Sequence, residues 1–306
     1  MSDLSAFEPP PFDPTAPLTA TGNLRRRQIV SRAVVWGATA AAAAAVAVLG
    51  IVTYTVIKHG AGSLSLGFLI HDPPQYGGPG GGIASAILGT AIIVALGAII
   101  AVPLGVLCAL YLVEFAGPRS RPGQVLQLAI DMMQGLPTIV VGLFILSLIV
   151  LPEHADSGFA ASLTLTIIML PLIARTTQEV LRTVPQGLRD ASDALGVDRW
   201  RAVLTVILPS AAGGILTGTI LAIARAAGET APVLVVDGTF ANQTTIDMFG
   251  HAVPNLPVLI WELIEQPTSS GLERAWGASL VLLVLILIAN IGARVLLARN
   301  RKRMGM

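Results

Sequence analysis

The chain has 306 residues, of which 54% are hydrophobic and only 12% are charged, and its mean hydropathy is +0.75. Water-soluble domains carry about 25% charged residues, so this composition excludes an ordinary soluble enzyme. The net charge of +1 indicates little by itself, because in a membrane protein the side on which each Lys and Arg lies is the informative quantity.

The chain starts with a polar, proline-rich stretch. Its first 24 residues contain few large apolar groups and a cluster of prolines at positions 9, 10, 11, 14 and 17. Such a composition cannot bury enough apolar surface to fold. We therefore predict a disordered cytoplasmic tail over residues 1–32.

Long apolar runs dominate the rest of the sequence, and a helix needs about 20 such residues to cross a bilayer. The runs are Ala33–Ile57, Ile83–Val113, Val125–Leu151, Phe159–Thr177, Ala211–Val236 and Trp276–Leu297. The first follows three arginines, as a secretory signal peptide would, but it is longer than a signal's apolar segment, which favours a retained helix. The sequence predicts an all-α, polytopic protein with six transmembrane helices over residues 33–298.

The basic residues test this topology, since cytoplasmic loops are enriched in Lys and Arg. One side of the predicted membrane receives 15 of the 19 basic residues: Arg25, Arg26, Arg27, Arg32, Arg119, Arg121, Arg182, Arg189, Arg199, Arg201, Arg294, Arg299, Arg301, Lys302 and Arg303. The opposite side receives Lys58 and Arg274. Both termini are therefore expected in the cytoplasm, with residues 299–306 as a basic tail, in a multi-pass protein of the cell membrane.

Two basic residues, Arg175 and Arg225, fall inside apolar runs, where an uncompensated charge is costly. Glu179 and Glu229 follow them at the i, i+4 spacing that allows ion pairing on one helix face. Arginines that line a water-filled path suggest an anionic substrate, because guanidinium groups bind tetrahedral oxyanions bidentately. A purely structural ion pair, and for Arg175 snorkelling to the interface, are the alternatives. Asp131 is interpreted as a solvated acid in the first turn of the third span, without a transport role.

Between the fourth and fifth runs, residues 185–209 alternate apolar and charged side chains, which predicts two short amphipathic helices broken at Gly196. Periodicity alone allows these helices to lie on the membrane interface. However, Asp190-Ala191-Ser192, then Gly196 and later Val206-Ile207-Leu208-Pro209, resembles the EAA loop of ABC importer permeases. That resemblance implies a coupling helix that docks on a cytoplasmic ATPase, formed by Asp190, Ala191, Ser192, Gly196, Leu208 and Pro209. Small Ala191 and Ser192 would permit close docking.

Three further segments resemble the membrane permease of the phosphate ABC importer, PstA type. They are Ala222 to Pro232 (AIARAAGETAP), Ala174 to Thr177 (ARTT) and Gln134 to Leu143 (QGLPTIVVGL), so the resemblance extends over residues 80–297. It implies a type I importer (MetI-like) fold and a substrate path through Arg175 and Arg225. The family commonly has Glu at the position of Gln178, whereas the acid of this chain is one residue further along, at Glu179, and points about 100° away around the helix.

The resemblance also implies partners: a second permease of the PstC type, a PstB-type ATPase dimer and a PstS-type phosphate-binding protein outside the cell. The chain itself has no P-loop, because its lysines, Lys58 and Lys302, follow no suitable glycine. We therefore expect a permease without catalytic residues, cofactor, metal or nucleic-acid partner. The outer loop from Asp237 to Ala275, with a helical patch at Trp261–Ile264, would contact the binding protein or simply close the helix ends as a hairpin.

Other functions remain open at this point. A permease for molybdate or sulfate would use the same two arginines. An anion channel would also explain them, but it would leave the ATPase-type loop without a purpose. An intramembrane enzyme finds little support, because the sequence has no H-E-x-x-H, no G-x-S-x-G and no pair of intramembrane aspartates.

Overall fold

The computed structural model describes residues 23–73, 81–117, 119–238, 247–265 and 268–303, and the regular structure in these ranges is entirely helical, which confirms the all-α prediction. The helices are α1 (Asn23–Gly60), α2 (Leu66–Ile70), α3 (Ala84–Leu110), α4 (Arg121–Gly135), α5 (Thr138–Ile145), α6 (Leu151–Glu153), α7 (Gly158–Thr183), α8 (Gln186–Ala194), α9 (Arg199–Ala202), α10 (Leu208–Ala226), α11 (Ala231–Val236), α12 (Leu256–Glu265) and α13 (Ser269–Arg303). Short π-helical turns continue α3, α5 and α9 at Tyr111–Phe115, Leu146–Val150 and Val203–Ile207.

The chain divides into two compact units, Met1–Thr55 and Val56–Met306. The described part of the first unit is helical from Asn23 onward. The predicted disordered tail over residues 1–32 is therefore wrong for residues 23–32, because Leu, Arg and Gln favour a helix and no proline interrupts them. The remainder of that tail lies outside the described residues. At the other end of the chain, α13 continues to Arg303, so most of the predicted basic tail is helical as well.

Within the described ranges, five helical segments are long and apolar enough to cross a membrane: Asn23–Ser63, Ala84–Phe115, Gly158–Thr183, Arg199–Ala226 and Ser269–Gly292. A sixth span is possible if the pair Arg121–Gly135 and Thr138–Glu153 is taken as one broken crossing. Each of the six apolar runs of the sequence overlaps one of these segments or the broken pair, although several ends differ. The protein is thus a multi-pass membrane protein.

The third predicted span is not one straight helix, because its two halves meet at an angle of 104°. The break lies at Leu136 and Pro137, which both adopt extended backbone conformations. Proline lacks an amide hydrogen and disfavours the helical conformation of the residue before it, so the helix stops there. The sequence predicted one continuous helix because the apolar run extends across Pro137 without a break.

The fifth predicted span, Ala211–Val236, also ends earlier than expected. α10 stops at Ala226, and a turn that includes Gly228 and Glu229 leads into the separate helix α11. Glycine weakens a helix, and Pro232 is accommodated in the first turn of α11, where its missing amide hydrogen costs nothing. Arg225 consequently lies in the last turn of α10 rather than in the middle of a continuous helix.

The core of the second unit is built on the packing of α3 against α7, with α10 and α11 completing it. Glycines permit the close approach of these two helices: a methyl group on Gly97 would lie 2.9 Å from the carbonyl oxygen of Ser162, and one on Gly105 would lie 2.9 Å from Ile173. The hydroxyl of Thr166 donates a hydrogen bond to the carbonyl oxygen of Gly97 at 3.2 Å. Small residues at a contact are typical of helices that associate within a membrane.

The segment before α12 is fixed over the start of α3. The buried Thr90 hydroxyl accepts a hydrogen bond from the amide of Leu256 at 2.8 Å, and Gly89 lies directly under the carbonyl of Pro254, where a methyl group would overlap that oxygen. Gly89→Ala is therefore expected to destabilise the protein by about 1–3 kcal/mol or more, since backbone atoms must move. Thermal unfolding in detergent measures this loss. Gly50→Ala, where no atom lies within 4 Å of the added methyl group, is the control, and equal melting temperatures of the two variants would contradict the packing described.

Candidate functional site

A cavity of about 460 Å³ lies between the α4–α5 bend, α7 and the end of α10. Its walls are formed by Met133, Gln134, Leu136, Thr138, Val141, Ile167, Ile168, Pro171, Leu172, Arg175, Thr176, Glu179 and Arg225. The break at Pro137 explains why the Gln134–Leu143 segment contributes to these walls. The amide of Gln134 donates a hydrogen bond to the carbonyl oxygen of Pro171 at 3.2 Å and so ties the bend to α7.

Arg175 lies on α7 with its side chain 42% exposed. Its Nη1 donates a hydrogen bond to Asp131 Oδ1 at 3.3 Å, and its Nε lies 3.6 Å from Glu179 Oε1. The contact with Glu179 has the i, i+4 spacing predicted from the sequence. Two carboxylates therefore orient this guanidinium, while part of it still faces the cavity.

The prediction that Asp131 lies in the first turn of a helix is wrong. Because α4 begins at Arg121, Asp131 lies beyond the first turns of the helix rather than at its start. There it accepts hydrogen bonds from Gln127 Nε2 at 2.9 Å and from Arg175. Asp131 is thus a partner of Arg175 in the cavity wall. The two residues are 44 positions apart in the sequence and come together because α4 packs against α7.

Arg225 is the more open of the two arginines, with 62% of its side chain exposed. Its single hydrogen bond among the described residues is a long one, from Nε to Glu229 Oε1 at 3.5 Å. The i, i+4 pair expected from the sequence forms, although Glu229 lies in the turn after α10. Most of the guanidinium donors of Arg225 thus remain available within the described structure.

Gln178 is placed away from this cavity. Its side chain is fully buried, and neither Oε1 nor Nε2 has a hydrogen-bond partner among the described residues. Glu179 lines the cavity, whereas Gln178, which points about 100° away around α7, is not among the lining residues. Gln178 therefore lies outside the proposed substrate path.

The segment between α7 and α10 forms the two short helices predicted for it, α8 and α9. Gly196 separates them with a φ of +65°, a conformation that side-chain-bearing residues rarely adopt. Asp190 and Ala191 are exposed, whereas Ser192 is buried and its hydroxyl donates to the carbonyl of Leu188 at 2.9 Å. Ser192 therefore faces the protein, and the expectation that it offers a small docking surface is wrong. Leu208 and Pro209 begin α10.

The tip of this segment exposes apolar side chains. Leu195 is 81% exposed and Trp200 is 53% exposed, and the guanidinium carbon of Arg201 lies 5.1 Å from the centre of the Trp200 ring. Exposed large apolar groups beside exposed charges are typical of a surface that contacts another protein. Neither Leu195 nor Trp200 was predicted to have this role from the sequence.

At the other end of the core, the predicted helical patch Trp261–Ile264 belongs to the longer helix α12. The buried carboxylate of Asp237 binds the segment just before α12. Its Oδ1 accepts a hydrogen bond from the main-chain amide of Val253 at 2.9 Å, and its Oδ2 accepts one from Asn255 Nδ2 at 3.4 Å. Burial raises the pKa of Asp237 to about 8 and that of Glu262 to about 7. Part of the predicted outer loop, residues 239–246 and 266–267, lies outside the described residues.

This burial predicts a pH-dependent stability. Folding raises the pKa of Asp237 from 3.8 to about 8. The contribution of Asp237 to the free energy of unfolding is therefore complete below about pH 4 and is lost as the pH rises through about 8. Asp237→Asn is expected to remove most of this dependence, measured as melting temperature against pH in detergent. Glu153→Gln, which changes an exposed acid, keeps it. A variant at Asp237 with the wild-type pH profile would show that another group is responsible.

Comparison with known proteins adds to this geometry. Residues 101–302 match the family described as "Binding-protein-dependent transport system inner membrane component". The chain belongs to this family. The cavity and the exposed segment formed by α8 and α9 are therefore features of a membrane permease. Such a permease is not itself catalytic.

Relatives within this family extend over most of the chain. "Phosphate transport system permease protein PstA 1" of Mycobacterium tuberculosis (strain ATCC 25618 / H37Rv) is 38% identical over 76% of this chain and 74% of the relative. "Phosphate transport system permease protein PstA" of Yersinia pestis is 34% identical over 82% and 84%. The protein of the same name from Xylella fastidiosa (strain Temecula1 / ATCC 700964) is 35% identical over 92% and 98%.

Solved structures support the fold. An inward-facing conformation of the MetNI methionine ABC transporter superposes with a TM-score of 0.56 at 17% identity, over 70% of this chain and 95% of that chain. A second crystal form gives a TM-score of 0.53. The predicted MetI-like ABC permease fold is thus confirmed.

Proposed function

We propose that this chain is one of two permease subunits of an ATP-driven importer that moves inorganic phosphate into the cell. The observation that carries this proposal is the cavity whose wall contains both Arg175 and Arg225, in a chain that resembles permeases named for phosphate transport along most of its length. Guanidinium groups bind tetrahedral oxyanions through paired N–H donors. Phosphate is therefore a substrate that agrees with the chemistry of the cavity and with the substrate for which the relatives are named.

The substrate path that we propose contains Arg225, Arg175, Glu179 and Glu229, to which we add Asp131. The arginines attract the anion, and the carboxylates compete for the same N–H donors. This competition keeps affinity low, and permeation requires that a bound ion also leave. Since Arg225 makes only one long contact, at 3.5 Å, with the residues that the structure describes, it is the guanidinium most easily transferred from its carboxylate to phosphate.

We place α8 and α9 in the cytoplasm, together with both chain termini, because Lys and Arg favour the cytoplasmic side. There the exposed Asp190 and Ala191, with Leu195 and Trp200 at the tip, would dock on an ATPase dimer of the PstB type. ATP-driven closure of that dimer would then move the membrane helices and alternate access to the cavity. The chain contributes no hydrolytic chemistry.

Two further partners complete the proposed complex. A second permease of the PstC type would supply the other wall of the path within the lipid bilayer. A PstS-type phosphate-binding protein would dock outside the cell, on a surface that includes α12, where Trp261 and Ile264 are exposed. Selectivity among oxyanions would reside mainly in that binding protein.

Dependence on ATP separates this proposal from an anion channel. We expect phosphate to enter proteoliposomes that contain the whole complex only when ATP and the ATPase are present. A catalytically inactive ATPase, which still binds ATP, is the matched control and should give background uptake. Phosphate flux that persists with the inactive ATPase would favour the channel instead.

A further inference from the structure

A buried carboxylate joins three parts of the structure at the end of the core beside α8. Glu114 lies in the π-helical turn that continues α3, and its side chain is 0% exposed. Arg189 of α8 donates from Nη2 to Glu114 Oε1 at 2.7 Å and from Nε to both carboxylate oxygens at 3.2 Å. Arg199 of α9 donates from Nη2 to Oε2 at 3.4 Å and from Nε to the main-chain oxygen of Glu114 at 3.2 Å.

The same cluster reaches the end of α7. Nη1 of Arg189 donates to the carbonyl oxygen of Val184 at 2.8 Å, and Nη2 donates to that of Leu181 at 2.9 Å. The hydrogen bonds that Arg189 donates to the Glu114 carboxylate raise the pKa of Arg189, so this guanidinium remains charged although it is largely buried. One side chain thus connects α3, α7 and α8 through charge-assisted hydrogen bonds.

The position of α8 depends on this connection. Arg189 and Ser192 are its two buried residues, and the Ser192 hydroxyl bonds only within its own helix among the described residues. The rest of α8 is exposed and neighbours α9 and the Val203–Ile207 turn. A force applied to the exposed face of α8 therefore reaches α3 most directly through Arg189 and Glu114.

We propose that Glu114 is a positioning residue for transport: together with Arg189 and Arg199 it forms a buried charge clamp that transmits movement of α8 to α3. This inference rests on the proposed function, because it requires an ATPase that moves α8. Separating the clamp would leave charges buried and unpaired, so the clamp resists sliding. α3 and α7 form the main helix contact of the core. Because the clamp links α8 to both of these helices, a movement of α8 would shift the packed helices of the core together.

Glu114→Gln tests the clamp in the complete complex with both permeases, the ATPase and the binding protein, reconstituted in proteoliposomes. Glutamine keeps the size of the side chain but removes its charge. We expect the variant complex to assemble and to hydrolyse ATP near the wild-type rate, while phosphate transported per ATP falls by about tenfold. Glu153→Gln removes an exposed acid elsewhere and is expected to keep the wild-type ratio.

Two results would overturn the proposal. A wild-type ratio of phosphate to ATP in Glu114→Gln would show that the charge is not needed for transmission. A parallel loss of ATP hydrolysis, uptake and melting temperature, with an unchanged ratio, would show that Glu114 only stabilises the fold. If this variant does not assemble, Arg189→Lys replaces it, because lysine keeps the positive charge but cannot make the several contacts that Arg189 makes with Glu114 and with the end of α7. An unchanged ratio in Arg189→Lys would equally overturn the clamp.

The wild-type complex separates this inference from the proposed function. If the wild-type complex takes up no phosphate with ATP, the proposed function fails. If the wild-type complex transports phosphate and the Glu114 variant does so with equal efficiency, only the clamp fails.

Discussion

Replacing Arg225 with glutamine is expected to abolish phosphate uptake while the complex still assembles. Glutamine roughly keeps the volume and a donor group but removes the charge and the paired N–H geometry that an oxyanion requires. Loss of such a charged contact costs about 2–5 kcal/mol, so uptake should fall by about 30-fold or more. Because Arg225 is 62% exposed and its one polar contact within the described part of the chain is a long one, at 3.5 Å, little stability depends on it.

The measurement is initial uptake of radiolabelled phosphate by the reconstituted complex, with complex yield and melting temperature recorded alongside. Arg182→Gln is the matched control, because Arg182 is exposed in the last turn of α7 and is not part of the cavity wall. It is expected to retain uptake. Normal uptake by Arg225→Gln would remove this residue from the path, whereas loss of assembly would assign it a structural role.

The second large effect is expected at the α8–α9 segment. Gly196 has a φ of +65°, which a β-branched residue adopts only with strain, although no atom would obstruct its side chain. Gly196→Val combined with Asp190→Lys should therefore displace α8 and reverse a charge on its exposed face. We expect ATPase binding to weaken by about tenfold or more from the backbone strain alone, and transport to be lost with it.

Co-purification of the ATPase with the permease pair measures this prediction. Gly196→Asn provides a graded control, since asparagine tolerates the left-handed conformation and should retain most of the binding. Asp190→Lys alone separates the contribution of the charge from that of the turn. If the double variant retains the ATPase as the wild type does, this segment is not the docking surface.

Periodicity and composition predicted much of the fold. The apolar runs located the spans, and the amphipathic pattern with Gly196 located α8 and α9. The bend at Pro137 was missed because apolar residues continue across it, and hydropathy does not register the missing amide hydrogen of proline. The end of α10 at Ala226 was missed for a similar reason, since Gly228 and Pro232 interrupt an otherwise apolar run.

The site was predictable only in part. Arg175 and Arg225 stood out because a charge within an apolar run requires an explanation, and their i, i+4 partners follow from helix geometry. Asp131 and Glu114 could not be paired with their arginines, which are 44 and 75 positions away along the chain. Glu114 did carry one signal that went unused: it is an acid at the very end of an apolar span, next to a basic loop. The burial of Gln178 and Ser192 depends on which helix face packs inward, and the sequence alone did not settle that.

The most direct test of the central claim is uptake of radiolabelled phosphate into proteoliposomes that contain this chain, its partner permease, the ATPase and the binding protein. Unlabelled phosphate, sulfate and molybdate are added in turn as competitors. The account predicts ATP-dependent uptake that phosphate alone suppresses. Suppression by sulfate or molybdate, together with uptake of that anion, would contradict the assignment of phosphate while retaining an ATP-driven permease.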